Sequence, residues 1–229
     1  MEYTPEVVER GIEELDRVGL TPLHRTLINL VPPGSKVLEV GCAAGHLSRA
    51  LRQNGCDVTG VEQVERLAQM ARDRVDRLII GDFEQAAVRA QIPKDHSVIL
   101  LADVIEHFAD PWAAVTTLRE MATADARWLI TFPNVAHWAQ RLNLLRGRWD
   151  YTDFGLMDRT HLRFFALGTV RAFLAESALT FDRLHLSTVS YPLRWKIERH
   201  FPEVHRRLLD RFPNLLATQF LVEAHSSLR

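Results

Sequence analysis

A chain of 229 residues, 47% hydrophobic and 25% charged, has enough apolar material for one substantial core, which excludes disordered, collagen-like and coiled-coil classes. No run approaches the ~18 apolar residues of a membrane helix, and the opening MEYTPEVVERGIEEL lacks a basic region followed by an apolar one, so a soluble cytoplasmic protein is expected. The net charge of -1 argues against a uniformly basic face gripping nucleic acid, and Cys42 and Cys56, without metal-binding spacing, fit a reduced compartment. Apart from Lys36, Lys94 and Lys196 the basic residues are arginines, which suit bidentate capture of carboxylate or phosphate.

Two leading helices are predicted over 6–18 and 21–31, the second stopped by Pro32, Pro33 and Gly34. A strand-helix beat follows: strands at 36–41, 56–62, 76–82, 96–104 and 126–134, with helices at 45–53, 64–74, 83–90 and 111–122 between them. Near-continuous apolar strands at this spacing read as a parallel sheet covered on both faces. The rhythm breaks after Asn134. Residues 135–165, rich in aromatics and arginines without a clean period, read as a helix and loop insertion of the kind that forms lids or binding loops. A helix at 167–177, a strand at 179–186, a basic helical excursion at 192–211 and a last strand at 215–226 complete one domain over 1–229.

VLEVGCAAGHLSRAL (37–51) joins a buried strand to a helix through a glycine turn. Gly41 and Gly45 permit a close backbone approach, and the helix start offers unpaired N–H groups to a polar ligand. The dinucleotide pattern G-x-G-x-x-G fails at Ala43 and His46, whereas Glu39-x-Gly41-x-x-x-Gly45 stands. On these residues the sequence resembles the class I S-adenosylmethionine-dependent methyltransferases, departing from their (E/D)xGxGxG motif at Ala43. The resemblance covers roughly 30–187 and implies a Rossmann-like α/β fold. Its seven-stranded, mostly parallel sheet has an antiparallel last strand, helices on both faces and a lid insertion.

The methyl donor S-adenosyl-L-methionine is the implied cofactor, held by Glu39, Gly41, Cys42, Gly45, Glu62, Gln63, Asp82, Phe83, Ala102 and Asp103. Glu62 matches the carboxylate that accepts from both ribose hydroxyls, and Asp82 with Phe83 the pair at adenine. Taken singly, Glu39 also reads as a loop-capping acid, Glu62 as a helix N-cap and Asp82 as a turn residue. A general base is needed for a hydroxyl acceptor, and His107 and His161 are the candidates.

Asp103-x-x-Glu106-His107 is also similar to the metal-ligating acid-x-x-Glu-His of ubiquinone-pathway O-methyltransferases and small-RNA 2′-O-methyltransferases; many relatives with DVIEH hold no metal, and none is expected. Residues 130–165 resemble a bacterial subgroup acting in cell-surface polysaccharide and natural-product pathways and, more loosely, the methionine-biosynthesis family sharing FPN-x-x-HW. Trp138, Arg148, Tyr151, Arg159 and Arg163 are the candidate acceptor contacts. The expected reaction is O-methylation of a small polar or anionic metabolite or sugar derivative. N-methylation and a non-catalytic, cofactor-binding partner of a biosynthetic enzyme are the alternatives. Neither nucleic acid nor a membrane span is expected among the partners, and a homodimer is left open.

Overall fold

A computed structural model describes residues 9, 10, 12, 19–189 and 192–226, so the first predicted helix falls almost wholly outside the described residues. Strands β1 (Lys36–Val40), β2 (Asp57–Glu62), β3 (Arg77–Ile80), β4 (His96–Leu101), β5 (Ala122–Pro133), β6 (Leu179–Val189) and β7 (Ala217–Ser226) make one sheet in the order β3-β2-β1-β4-β5-β7-β6. The pairs from β3 to β5 are parallel, and β7 runs antiparallel to both its neighbours. The expected seven-stranded sheet with an antiparallel last strand is therefore what forms.

Alternation along the strands sends apolar side chains to both faces. Leu38, Ile99, Ile130 and Val222 join one core, packed with Val115 and Leu118 of α5 (Pro111–Arg119) and Phe173 of α7 (Leu167–Glu176). Val37, Leu100, Leu129 and Leu221 join the other, under Leu23 and Leu27 of α1 (Pro22–Leu30) and Leu47 and Leu51 of α2 (His46–Gln53). Burying a side chain such as Leu27 completely contributes about 1.5–3 kcal/mol. Helix starts are fixed locally: Thr21 and His24 cap α1 reciprocally ahead of Pro22, and Asp110 accepts from the Ala113 N–H ahead of Pro111. Helices α3 (Glu65–Ala71) and α4 (Ala86–Arg89) complete the crossovers.

Strand order reverses between β1 and β4, so their carboxyl ends open a crevice, the place where sheets of this kind take ligands. β4 stops earlier than the sequence suggests, because Asp103 adopts φ 55 and Ile105–His107 close a 3-10 turn. Both irregular excursions leave from this edge. One carries α6 (Trp138–Leu145), and the other carries α8 (Arg194–His200), α9 (Pro202–Arg211) and the turn α10 (Pro213–Leu216). Asn134 Nδ2 donates to the carbonyls of Asn214 at 2.9 Å and Ala217 at 2.6 Å, tying their roots together.

Candidate active site

The crevice holds a cavity whose wall is laid down in strand order: Val40 and Gly41 at the end of β1, Glu62 and Gln63 at the end of β2, Gly81 to Glu84 after β3, and Val104 with His107 after β4. Gly41 has φ 74, and a Cβ there would stand 2.9 Å from Val104 Cγ2, so this turn requires glycine. Ala43, in the place of the middle glycine, also has positive φ, 46°, a conformation costing about 1–2 kcal/mol for an L residue. Its N–H donates to Glu62 Oε2 at 2.9 Å, which holds the turn in that shape.

Glu62 Oε1 accepts from the Val64 N–H at 2.8 Å, so this carboxylate clasps the first turn and starts α3 while still lining the cavity. Each of its oxygens keeps a second lone pair for an outside donor. Burial pushes its carboxyl above the usual range, and the amides of Val64, Ala43 and Gln63 pull it back. Phe83, buried with its ring centroid 5.8 Å from that of Phe108, gives the cavity an apolar end. Asp82 Oδ1 accepts from the Glu84 N–H at 2.8 Å, the turn role open to it from sequence. Glu84, which no motif marked, accepts from the N–H groups of Ala109 and Asp110 at 3.3 Å and ties the two loops across the rim.

A second cavity adjoins the first at His107, which lines both. Its walls include Asp103, Glu106, Leu156, Asp158, His161 and Gln219. A backbone contact assembles them: the N–H groups of Leu162 and Arg163 donate to the Glu106 carbonyl at 2.9 and 3.1 Å, docking the insertion on the 3-10 turn. Asp158 Oδ1 accepts from both the N–H and the Oγ1 of Thr160, at 2.8 and 2.7 Å, and shapes that segment.

The histidine tautomers follow from their partners. His107 Nδ1 lies 3.2 Å from the Thr160 carbonyl and His161 Nδ1 3.2 Å from the Leu156 carbonyl. Carbonyls only accept, so each Nδ1 carries the hydrogen and each Nε2 keeps its lone pair. The rings meet edge-on with centroids 4.8 Å apart, and Glu106 Oε1 lies 3.7 Å from His161 Nε2. Burial pushes His161 down to about 4, helped by the neighbouring His107, and lowers His107 as well. Burial also raises Glu106 well above the carboxylate range, with Asp103 and Asp158 adding to it.

Glu106 Oε2 is buried without a hydrogen-bond partner among the described residues. Glu106, His107 and His161 offer ligand atoms lying within 4.8 Å of one another. One carboxylate and two imidazoles whose far nitrogens are held by carbonyls make a donor set suited to a divalent cation.

Of the residues expected at the cofactor, Gly41, Glu62, Gln63, Asp82 and Phe83 line the first cavity. The others are placed elsewhere. Glu39 is buried in β1 and accepts from Ser48 Oγ of α2. Cys42 turns beneath β2, where its Sγ occupies the space beside Gly60. Gly45 caps α2, and a Cβ there would stand 3.1 Å from Ala71 Cα, so that glycine serves helix packing. Ala102 packs against the core, and Asp103 belongs to the second cavity, where its Oδ1 accepts from Thr131 Oγ1 at 2.7 Å and from Gln219 Nε2.

His107 and His161 do come together, but Trp138, Arg148, Tyr151, Arg159 and Arg163 are not among the residues lining either cavity. Acids close in sequence draw the first two arginines away: Arg148 pairs with Asp150 at 2.7 Å and Arg159 with Asp153. Arg163 donates to the Ala109 carbonyl, Tyr151 is exposed, and the Trp138 ring lies against His137 at the start of α6. The second cavity is lined by the carboxyl groups of Asp103, Glu106 and Asp158 without an arginine or lysine. Hydrogen-bond acceptors therefore stand in this wall.

The sheet order and the crevice at its switch point are those of the fold class of S-adenosyl-L-methionine-dependent methyltransferases. The chain belongs to the methyltransferase-domain family, whose sequence profile, described as "Methyltransferase domain", matches residues 13–180. It is 27% identical over 124 residues to the "Ubiquinone biosynthesis O-methyltransferase" of Leptothrix cholodnii, a match covering 52% of each chain. The chain thus spans about half the length of that relative. A SAM-dependent methyltransferase from Archaeoglobus fulgidus has a TM-score of 0.64 at 15% identity over 92% of both chains. The magnesium protoporphyrin IX methyltransferase of Synechocystis PCC 6803 with bound SAH has a TM-score of 0.62 at 17% identity, over 94% of this chain and 87% of its own. Both share the fold. Among the described residues no helix is long and apolar enough to cross a membrane.

Proposed function

We propose that this chain methylates a hydroxyl group of a small neutral acceptor, with S-adenosyl-L-methionine in the first cavity and the acceptor in the second. The observation that carries this reading is His107, placed where the cavities meet and presenting a bare Nε2. The donor supplies a methyl group on a positive sulfonium. Glu62 receives the ribose hydroxyls, and Phe83 with Asp82 holds the base. Asp103 and Asp158 accept hydrogen bonds from the acceptor and orient its oxygen. His107 Nε2 takes the hydroxyl proton as that oxygen gains the methyl group, and alignment across the shared wall supplies much of the rate. The similarity to O-methyltransferases, though confined to half a chain, supports oxygen over nitrogen as the atom methylated.

Methyl-labelled donor incubated with a panel of phenols, diols and amines, with products identified by carbon NMR, tests the reaction. O-methyl products support it, and N-methyl products alone overturn it. The donor site is tested separately. Glu62→Ala is expected to weaken S-adenosyl-L-methionine binding by roughly 1–3 kcal/mol, since a charged acceptor is lost. It should also lower Tm, because the Ala43 and Val64 amides lose their partner. An unchanged Kd by titration calorimetry would count against the assignment.

The orphaned Glu106 Oε2 favours a second reading of the same cluster. Glu106, His107 and His161 would then hold a divalent cation, which would supply a positive charge to lower the pKa of the acceptor hydroxyl. Protein dialysed against EDTA is expected to keep its activity if His107 acts as the base. Loss of activity, restored by manganese, magnesium or zinc and absent in His161→Ala, would select the cation.

A further inference from the structure

The excursion between β6 and β7 is built unlike the rest of the chain. Neither α8 nor α9 buries a single residue, although the segment is full of apolar side chains. Leu193, Trp195, Phe201, Val204 and Phe212 are exposed by 61%, 63%, 62%, 48% and 46%. Single exposed hydrophobics need no explanation, but five within twenty consecutive residues set this segment apart. Cations interleave with them: Arg194, Lys196, Arg199, Arg206, Arg207 and Arg211 against the acids Glu198, Glu203 and Asp210, on a chain whose net charge is -1.

Glu198 pairs with Arg194 and Glu203 with Arg206. Arg199, Arg207 and Arg211 have no ion-pair partner among the described residues, and Lys196 stands 5.2 Å over the Trp195 ring. Aromatic tips among unpaired cations match a layer that is apolar within and anionic at its surface. A second copy of the chain meeting this face about a twofold axis would set the same arginines against each other.

We propose that residues 193–212 dock the protein onto an anionic lipid surface, with Trp195, Phe201 and Phe212 entering the headgroup layer and Arg199, Arg207 and Arg211 engaging lipid phosphates. The face is fixed to the sheet by buried Leu216 and Ala217. Thr218 and Gln219, the next residues, line the second cavity, so a docked protein holds that cavity beside the lipid. The docking stands independently of the reaction proposed above, and its test does not involve methyl transfer.

Flotation of the full chain with phosphatidylcholine vesicles, with and without phosphatidylglycerol, reads the interaction. The protein is expected to float with the anionic vesicles and to be released by high salt. Trp195→Ser with Phe201→Ser, and separately Arg199→Glu with Arg207→Glu, should each lower the bound fraction roughly tenfold or more. All four positions are exposed, and an unchanged Kd for S-adenosyl-L-methionine would show that the variants are folded. Absence of flotation, or flotation indifferent to phosphatidylglycerol and to both variants, overturns the proposal. So does a concentration-dependent dimer in sedimentation that the same substitutions abolish, which would assign the face to a second copy.

Discussion

His107→Ala is expected to lower kcat by about 10²–10⁴-fold while leaving the Kd for S-adenosyl-L-methionine close to that of the wild type. The split follows from the architecture. Glu62, Asp82 and Phe83 build the end of the first cavity without help from His107, which contributes only the wall shared with the second. Its Nδ1–H is committed to the Thr160 carbonyl, so the side chain offers the site one group, a proton-accepting Nε2 that alanine removes. His161 gives a useful contrast. Burial pushes its pKa down to about 4, which makes it the poorer proton acceptor. If His107 is the base, His161→Ala should therefore cost much less in kcat. If the two hold a cation, the losses should be comparable. A His107→Ala enzyme with wild-type kcat at saturating acceptor would remove this residue from the chemistry altogether.

The wall of the first cavity was legible in the sequence because its residues sit at strand ends. Gly41, Glu62 and Asp82 stand at or just past the ends of β1, β2 and β3 in chain order, and the apolar runs announce the strands. Within that edge the sequence shows which residues arrive but not which way they face. Cys42 and Gly45 flank the turn, yet their inner sides meet Gly60 and Ala71, contacts set by the crossover helix and the neighbouring strand. The wall of the second cavity was harder to read for a different physical reason. Segment 135–165 has no clean period, and Arg148 and Arg159 pair with Asp150 and Asp153 a few residues away, so the arginine count does not mark the cavity wall. The groups that line the cavity arrive by two routes without a local signature. One is the Asp158–Thr160 turn docking on the Glu106 carbonyl, and the other is the register that brings Gln219 of β7 next to Asp103. Both are long-range consequences of sheet topology.

Glu39→Gln is expected to make the protein more stable relative to wild type as pH rises, by about 3 kcal/mol between pH 4.5 and pH 7. Glu39 lies at 3% exposure in β1, and burial pushes its carboxyl up to about 8 from an ordinary 4.5, with the Ser48 hydroxyl opposing the shift and the Glu62 charge adding to it. In the unfolded chain it ionises near the ordinary value. Below that pH both states hold the proton and the residue costs nothing. Above it the unfolded state releases a proton that the folded state keeps, so stability falls by about 1.4 kcal/mol per pH unit until the folded group also ionises. Glutamine cannot ionise, and its amide oxygen still accepts from Ser48 Oγ, so the variant escapes the loss with the hydrogen bond intact. The measurement is the difference in unfolding free energy between the two proteins from urea titrations across this range, in which the other titrating groups cancel. A difference that stays flat with pH would mean that Glu39 is ionised in the folded protein. The carboxyl would then have to be stabilised by a charge or by water at the base of the first turn.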